Sequence, residues 1–398
     1  MKSRELSPRV TTGIYVGCGV VTGIAVFAKA ELIGSLLPLP GPILLVVLIA
    51  ACALPFFHRY FLRFGRWLGP STIVAVLFMV AVVQPRLASL RGEGRGSDQG
   101  ECLAVGVDRM LTGQWPYDAS QMSTGNAMSC GPGWLVAHAP VAVIGYPLTM
   151  SLLIGLCLLV IGKTVGLATL NRFMVLLALT PGFWLSLANG NDFLTFGFAL
   201  AALIALSLSD NKVALWILVP ATIVVSQFRF PFLTLGLPMF FRRGHRGSSL
   251  LLAAISAATS LIWWFGYMVW DSRSFTYDGP MHVYFKLNRM VGGNFDMAVF
   301  VGIFVVASVI VAYVATSFGF PGSLLVYCGI FVVPLSALNV VEVWRAHPGL
   351  LDTIQFWEGT SWMTAMVCLA GFLVALSAGP ERTDRSRDAS QVRSPVEK

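Results

Sequence analysis

Four carboxylates, an arginine, a tyrosine and a histidine crowd one stretch of this chain. Residues 97–118 read SDQGECLAVGVDRMLTGQWPYD, and His138 follows 20 residues later. A carboxylate held at a water-accessible edge can take a proton from an attacking hydroxyl, so Asp98 is the candidate general base. Glu101, Asp108, Tyr117 and His138 are the candidate binding groups around it. Leu103, Val107, Met110 and Leu111 recur at helical spacing, which predicts an amphipathic helix lying on a membrane surface. Asp98 then sits at its N-terminus, where a carboxylate caps free N–H groups, and Glu101 can complete the capping arrangement. Capping and catalysis are compatible, because a fixed base is what proximity catalysis needs. Asp108, beside Arg109, is expected to face water. Gly113 can end the helix, Pro116 bars its resumption, and Trp115 and Tyr117 suit a membrane interface. Cys102 and Cys130 lie in the same stretch, either as a disulfide or as two free thiols. The other five of the seven cysteines fall in apolar runs, and no pair has metal-ligand spacing. No metal and no cofactor are expected.

The elements that position these residues follow from composition. The 398 residues are 56% hydrophobic and 12% charged, with mean hydropathy +0.75. Soluble domains carry about 25% charged residues, so the solvent of this chain is a bilayer. A span needs about 20 apolar residues. The pattern predicts an all-α polytopic bundle of about twelve spans, near 11–30, 36–57, 70–84, 140–162, 172–188, 193–208, 213–227, 231–241, 248–270, 295–317, 322–341 and 360–378. Pro220, Pro231 and Pro238 interrupt the pair at 213–241, and broken helices persist at membrane depth only against protein or a watery cavity. Residues 1–379 form one membrane domain and 380–398 a polar, disordered tail. Segment 11–30 reads as a signal anchor rather than a cleaved leader. Lys and Arg concentrate on one set of turns, which places both termini in the cytoplasm and the long first loop, 86–134, outside. The net charge of +8 is this topology signature and does not indicate nucleic acid. Further outer segments are expected at 271–294 and 342–359.

The order of these features resembles a known family. An acidic residue opens a surface helix, an acid–Arg step follows, then L-x-G-x-x-P-Y at Leu111–Tyr117, the turn Cys130–Trp134 and a Pro-led span. Asn189-Gly190-Asn191-Asp192 before an apolar helix, and QFRFPFLTLGLPMFFRRGHRG, continue the likeness over roughly 95–247. This is similar to the GT-C glycosyltransferases, in particular the family 87 mannosyltransferase-like branch of actinobacteria. The chain departs from that pattern at Arg229, where Lys is usual, and at Asn191-Asp192. The resemblance implies a bacterial plasma-membrane enzyme that takes a sugar, mannose by family weighting and arabinofuranose as competitor, from a polyprenyl-phosphate donor to a glycolipid or cell-envelope glycan acceptor, with inversion. It implies that an acid of the first outer loop is the base. The leaving phosphate needs cations: Arg229 first, whose alternative is snorkelling to headgroups, then Lys286 and Arg289. Asp192 is expected to orient the sugar or pair with Arg229.

The competing readings are a lipid-linked glycan transporter or flippase, and a glycan polymerase or ligase. A transporter should show midplane ionisable residues and internal repeats, and this sequence shows neither pattern.

Overall fold

The computed structural model describes residues 6–28, 41–89, 98–188, 190, 193–209, 212–240, 246–315, 322–349, 353 and 360–377. The fold is all-helical, 84% helix, with no strand among the described residues. Among the described residues six helices are long and apolar enough to cross a bilayer: Pro8–Val26, Leu45–Arg86, Tyr146–Val165, Leu250–Trp270, Met297–Val314 and Gly322–Ala346. A seventh crossing arises if Leu167–Ala178 and Pro181–Ala188, bent by 84° at their junction, count together. The expectation of about twelve spans is therefore met only in its coarser form, a helical membrane protein.

The shortfall has physical causes. Residues 36–40 lie outside the described residues, and from Leu45 onward the expected span 36–57 joins the expected span 70–84 in one helical run, Leu45–Arg86, of 42 residues. At 1.5 Å per residue it is about twice as long as a hydrocarbon core is thick. Short 3₁₀ turns at Leu54–Phe57 and Leu62–Phe64 and a π turn at Met79–Val83 interrupt it. Just past the π turn, the buried Gln84 amide donates to the Leu187 carbonyl at 2.6 Å. Elsewhere the apolar run is core rather than lipid-facing. Every residue from Phe193 to Leu206 is buried. That helix has 15 residues. It packs against Tyr146–Val165 and Thr360–Ser377. A helix apolar on all sides belongs inside a bundle. Trp216–Ser226, Phe230–Phe240 and Met363–Ser377 are likewise too short to cross alone.

The segments expected as outer loops carry local structure. Residues 271–294 hold two short helices, Ser272–Tyr277 and His282–Met290. Asp271 caps the first, accepting from the Ser274 N–H at 3.0 Å. Glu342, expected to open a loop, belongs to the helix Gly322–Ala346.

Candidate functional site

The predicted helix after Asp98 forms at Gln99–Leu111. Its stripe of Cys102, Leu103, Gly106 and Val107 is buried. Gly106 faces Leu135 and Met128, and Gly100 faces the Tyr146 ring. Protein, not lipid, covers this stripe.

Asp98 does not cap the helix with its side chain. Its backbone carbonyl accepts from the Cys102 N–H at 2.9 Å, which starts the helical ladder. The carboxylate turns outward instead. Oδ2 accepts from the Asn126 amide at 2.9 Å and from the Thr124 hydroxyl at 3.4 Å, and Oδ1 from the Gln99 amide at 3.4 Å. The expected capping arrangement with Glu101 is likewise replaced. Glu101 accepts from the Ser123 N–H at 2.9 Å and the Ser123 hydroxyl at 2.7 Å. The segment 119–126 folds back over the start of the helix, and its donors satisfy both carboxylates. Asp108 is exposed.

Beyond the helix, Arg109 closes the next turn. Its Nε donates to the Trp115 carbonyl at 2.7 Å and Nη1 pairs with Asp118 at 3.3 Å. Tyr117, expected at an interface, is fully buried among Trp115, Tyr267 and Phe275. Burial pushes its phenol well above the ordinary value.

Arg229 lies three residues past the helix Lys212–Ser226 and two before Pro231, which bars the helix from resuming there. Its backbone is extended, φ −149° and ψ 142°, and a 3₁₀ turn Phe230–Phe232 follows. The residue is only 5% exposed. Nη1 donates to the Ser129 hydroxyl at 2.5 Å, and the guanidinium lies 4.7 Å from the centre of the Phe193 ring. A buried guanidinium stays charged, so its surroundings must compensate it. The segment carrying Ser129 is pinned beside it. The Gly131 N–H donates to the Phe228 carbonyl at 2.9 Å. A Cβ at Gly131 would stand 1.8 Å from the Gln227 carbonyl oxygen, and one at Gly133 2.4 Å from that of Val224. Only glycine permits this approach.

Asp98 and Arg229 thus meet one short segment from two sides. Asn126 holds the carboxylate and Ser129 the guanidinium, and three residues of chain span at most about 11 Å between Cα atoms. Next to Ser129, the Cys130 sulfur lies 3.1 Å from that of Cys102. The Cys102 thiol is raised well above its usual range, first by its hydrogen bond with Cys130 and then by burial. Arg229 pulls it down and Asp98 pushes it up, so both charges act at this sulfur.

The remaining candidates lie apart or enclosed. His138 is fully buried under the Trp134 ring, 4.5 Å between centroids. Its Nδ1 donates to the Trp134 carbonyl at 2.8 Å, and burial lowers its pKa to about 4, so the ring is neutral at pH 7. Lys286 and Arg289 share Glu342, at 2.9 and 3.3 Å, which offsets half of their charge. Asp192 lies outside the described residues. Among the described residues no three His, Cys, Asp or Glu side chains gather to hold a metal. Sequence reasoning missed Ser123, Asn126 and Ser129. The polar run Ser123-Thr124-Gly125-Asn126 was the available signal, but nothing in its spacing tells which carboxylate it meets.

Compared with protein-family models, with curated proteins and with solved structures, the chain matches none of them.

Proposed function

We propose that this chain is an inverting membrane glycosyltransferase that moves a sugar, mannose by first choice, from a polyprenyl-phosphate donor to a lipid-linked or envelope glycan at the outer face. In this reading the acceptor hydroxyl attacks the anomeric carbon. Asp98 takes the hydroxyl proton, and the bond between sugar and phosphate breaks with its electron pair leaving on the phosphate. Arg229 faces that phosphate, whose oxygen takes the place now filled by the Ser129 hydroxyl. The observation that carries the reading is the shared segment: Asn126 aims the carboxylate and Ser129, three residues on, engages the guanidinium.

Two further features support it. Among the described residues, Tyr117 Oη, Trp134 Nε1, His138 Nε2, Gln227 Oε1 and Trp264 Nε1 are buried without a hydrogen-bond partner. Buried polar atoms are normally satisfied, and sugar hydroxyls are groups of the right kind to do so. An apolar groove is lined by Leu77, Ala81, Leu148, Leu152, Leu156 and Leu159, and Leu148 follows Tyr146 by two residues on the same helix. The Tyr146 ring packs on Gly100, beside Asp98, so a lipid tail in the groove brings its head toward the carboxylate.

The test is transfer from polyprenyl-phosphate-[14C]mannose to a glycolipid panel by purified full-length protein in lipid. Asp98→Asn is expected to lower turnover about 10²–10⁴-fold, the range of general-base catalysis, while the protein still inserts. Unchanged turnover in that variant removes the base assignment. The 84° break between Leu167–Ala178 and Pro181–Ala188 favours a second reading, a lipid-linked glycan flippase. The same proteoliposomes discriminate it, because a flippase moves labelled lipid across the bilayer without forming a new glycosidic bond.

A further inference from the structure

We propose that Cys102 and Cys130 are the site of a disulfide that staples the Asp98 helix to the turn carrying Ser129. The placement is specific. Two sulfurs from residues 28 apart in sequence stand 3.1 Å from each other, each on a residue at most 2% exposed. Cys102 lies one helical turn after Asp98, and Cys130 directly follows Ser129, whose hydroxyl meets Arg229. The other five cysteines are buried or partly buried. The bond therefore fixes the spacing of the two halves of the candidate site.

The chemistry balances as thiol–disulfide exchange with an outer-compartment oxidoreductase that carries a reactive disulfide. One cysteine thiolate attacks that disulfide, forming a mixed disulfide and releasing one oxidoreductase thiolate. The second cysteine thiolate attacks the first cysteine's sulfur and releases the other. The two cysteines lose two electrons and two protons, and the oxidoreductase leaves as a dithiol. Burial of both sulfurs requires the exchange to precede docking of the helix, and it shields the finished bond from reductants. The proposal rests on the outward placement of loop 86–134 in the functional reading above, but not on sugar transfer itself.

The experiment uses the full chain from membranes quenched with acid, which halts exchange by protonating thiols without modifying them, then denatured, neutralised and labelled with a maleimide of added mass. Five of the seven cysteines are expected to label before reduction and all seven after it. Proteolysis should yield a Cys102–Cys130 cross-linked peptide two hydrogens lighter than the sum of its parts. In Cys102→Ser, the reductant-dependent gain in labelling should vanish. Seven labels without reductant, or a cross-link joining other cysteines, overturns the proposal. Because no activity is read, a bridged protein that transfers no sugar sinks only the functional reading. Conversely, free thiols in an active transferase sink only this one.

Discussion

Asp98 owes its orientation to Asn126 and Thr124 rather than to the helix it precedes, and Arg229 owes its burial to Ser129 and Phe193. Two predictions belong to single residues. Arg229→Ala removes both the charge and the planar, multi-donor head, so a phosphate-bearing donor should bind at least roughly tenfold more weakly. The KM for donor should rise while that for acceptor holds. Equal rises in both would place the phosphate elsewhere, with Lys286 and Arg289 the next candidates. His138 makes a pH prediction. Its folded pKa of about 4 lies below the ordinary 6.5, so the unfolded chain takes up a proton between those values and the folded chain does not. Stability is fully present above pH 6.5 and falls as pH drops toward 4. From pH 7 to pH 5 this residue should cost about 2 kcal/mol. Melting curves of His138→Gln in detergent should accordingly fall less steeply over that range than those of the parent. Matching slopes would mean that the ring is not buried neutral.

At the scale of elements, the site depends on how closely the short helix Pro132–Ala137 rides on the end of Lys212–Ser226. A Cβ at Gly133 would press on backbone and Cβ atoms of Val224 and Gln227, at 2.4 and 2.3 Å, which cannot move aside as a side-chain tip would. Gly133→Ala is expected to cost about 1–3 kcal/mol of stability, with a lower melting temperature, and to lower transfer activity with it. Gly155, within Tyr146–Val165, has nothing within 4 Å of its Cβ position. Gly155→Ala should leave stability unchanged or raise it by up to about 1 kcal/mol, as helix propensity dictates. Similar melting losses in both variants would refute the close approach. These elements also mark what a sequence can and cannot disclose. The helix at Gln99–Leu111 was legible, since Leu103 and Val107 recur at its period. The covering of its apolar side was not, because a stripe facing Leu135 and Met128 looks the same in sequence as one facing lipid. The carboxylates were legible as candidates. Their partners were not, because Ser123 and Asn126 reach back 22 and 28 residues, and no local pattern records that return.

For the whole molecule, composition decides the solvent but not the number of crossings. Phe193–Ser207 and Leu250–Trp270 both look like spans in sequence, yet the first is enclosed almost entirely by protein and is 15 residues long, against 21 for the second. Hydropathy cannot separate a helix that avoids water inside a bundle from one that avoids it in lipid. Orientation is a separate inference, drawn from where Lys and Arg concentrate. Arg59, Arg63 and Arg66 surround the 3₁₀ breaks in Leu45–Arg86, whereas Asp98, Glu101, Asp108 and Asp118 cluster with the candidate site. The charge rule assigns the first group to the cytoplasm and the second to the exterior. Gln114 and Arg66 are both exposed and suit a direct test. Introduced one at a time, Gln114→Cys should react with a membrane-impermeant maleimide in intact cells, above the background of the parent chain. Arg66→Cys should react only after the cells are opened. If both label in intact cells, the two groups share a side and the topology fails. If the pattern is inverted, the carboxylates face the cytoplasm, where nucleotide sugars are available, and a polyprenyl-phosphate donor at the outer face loses its rationale.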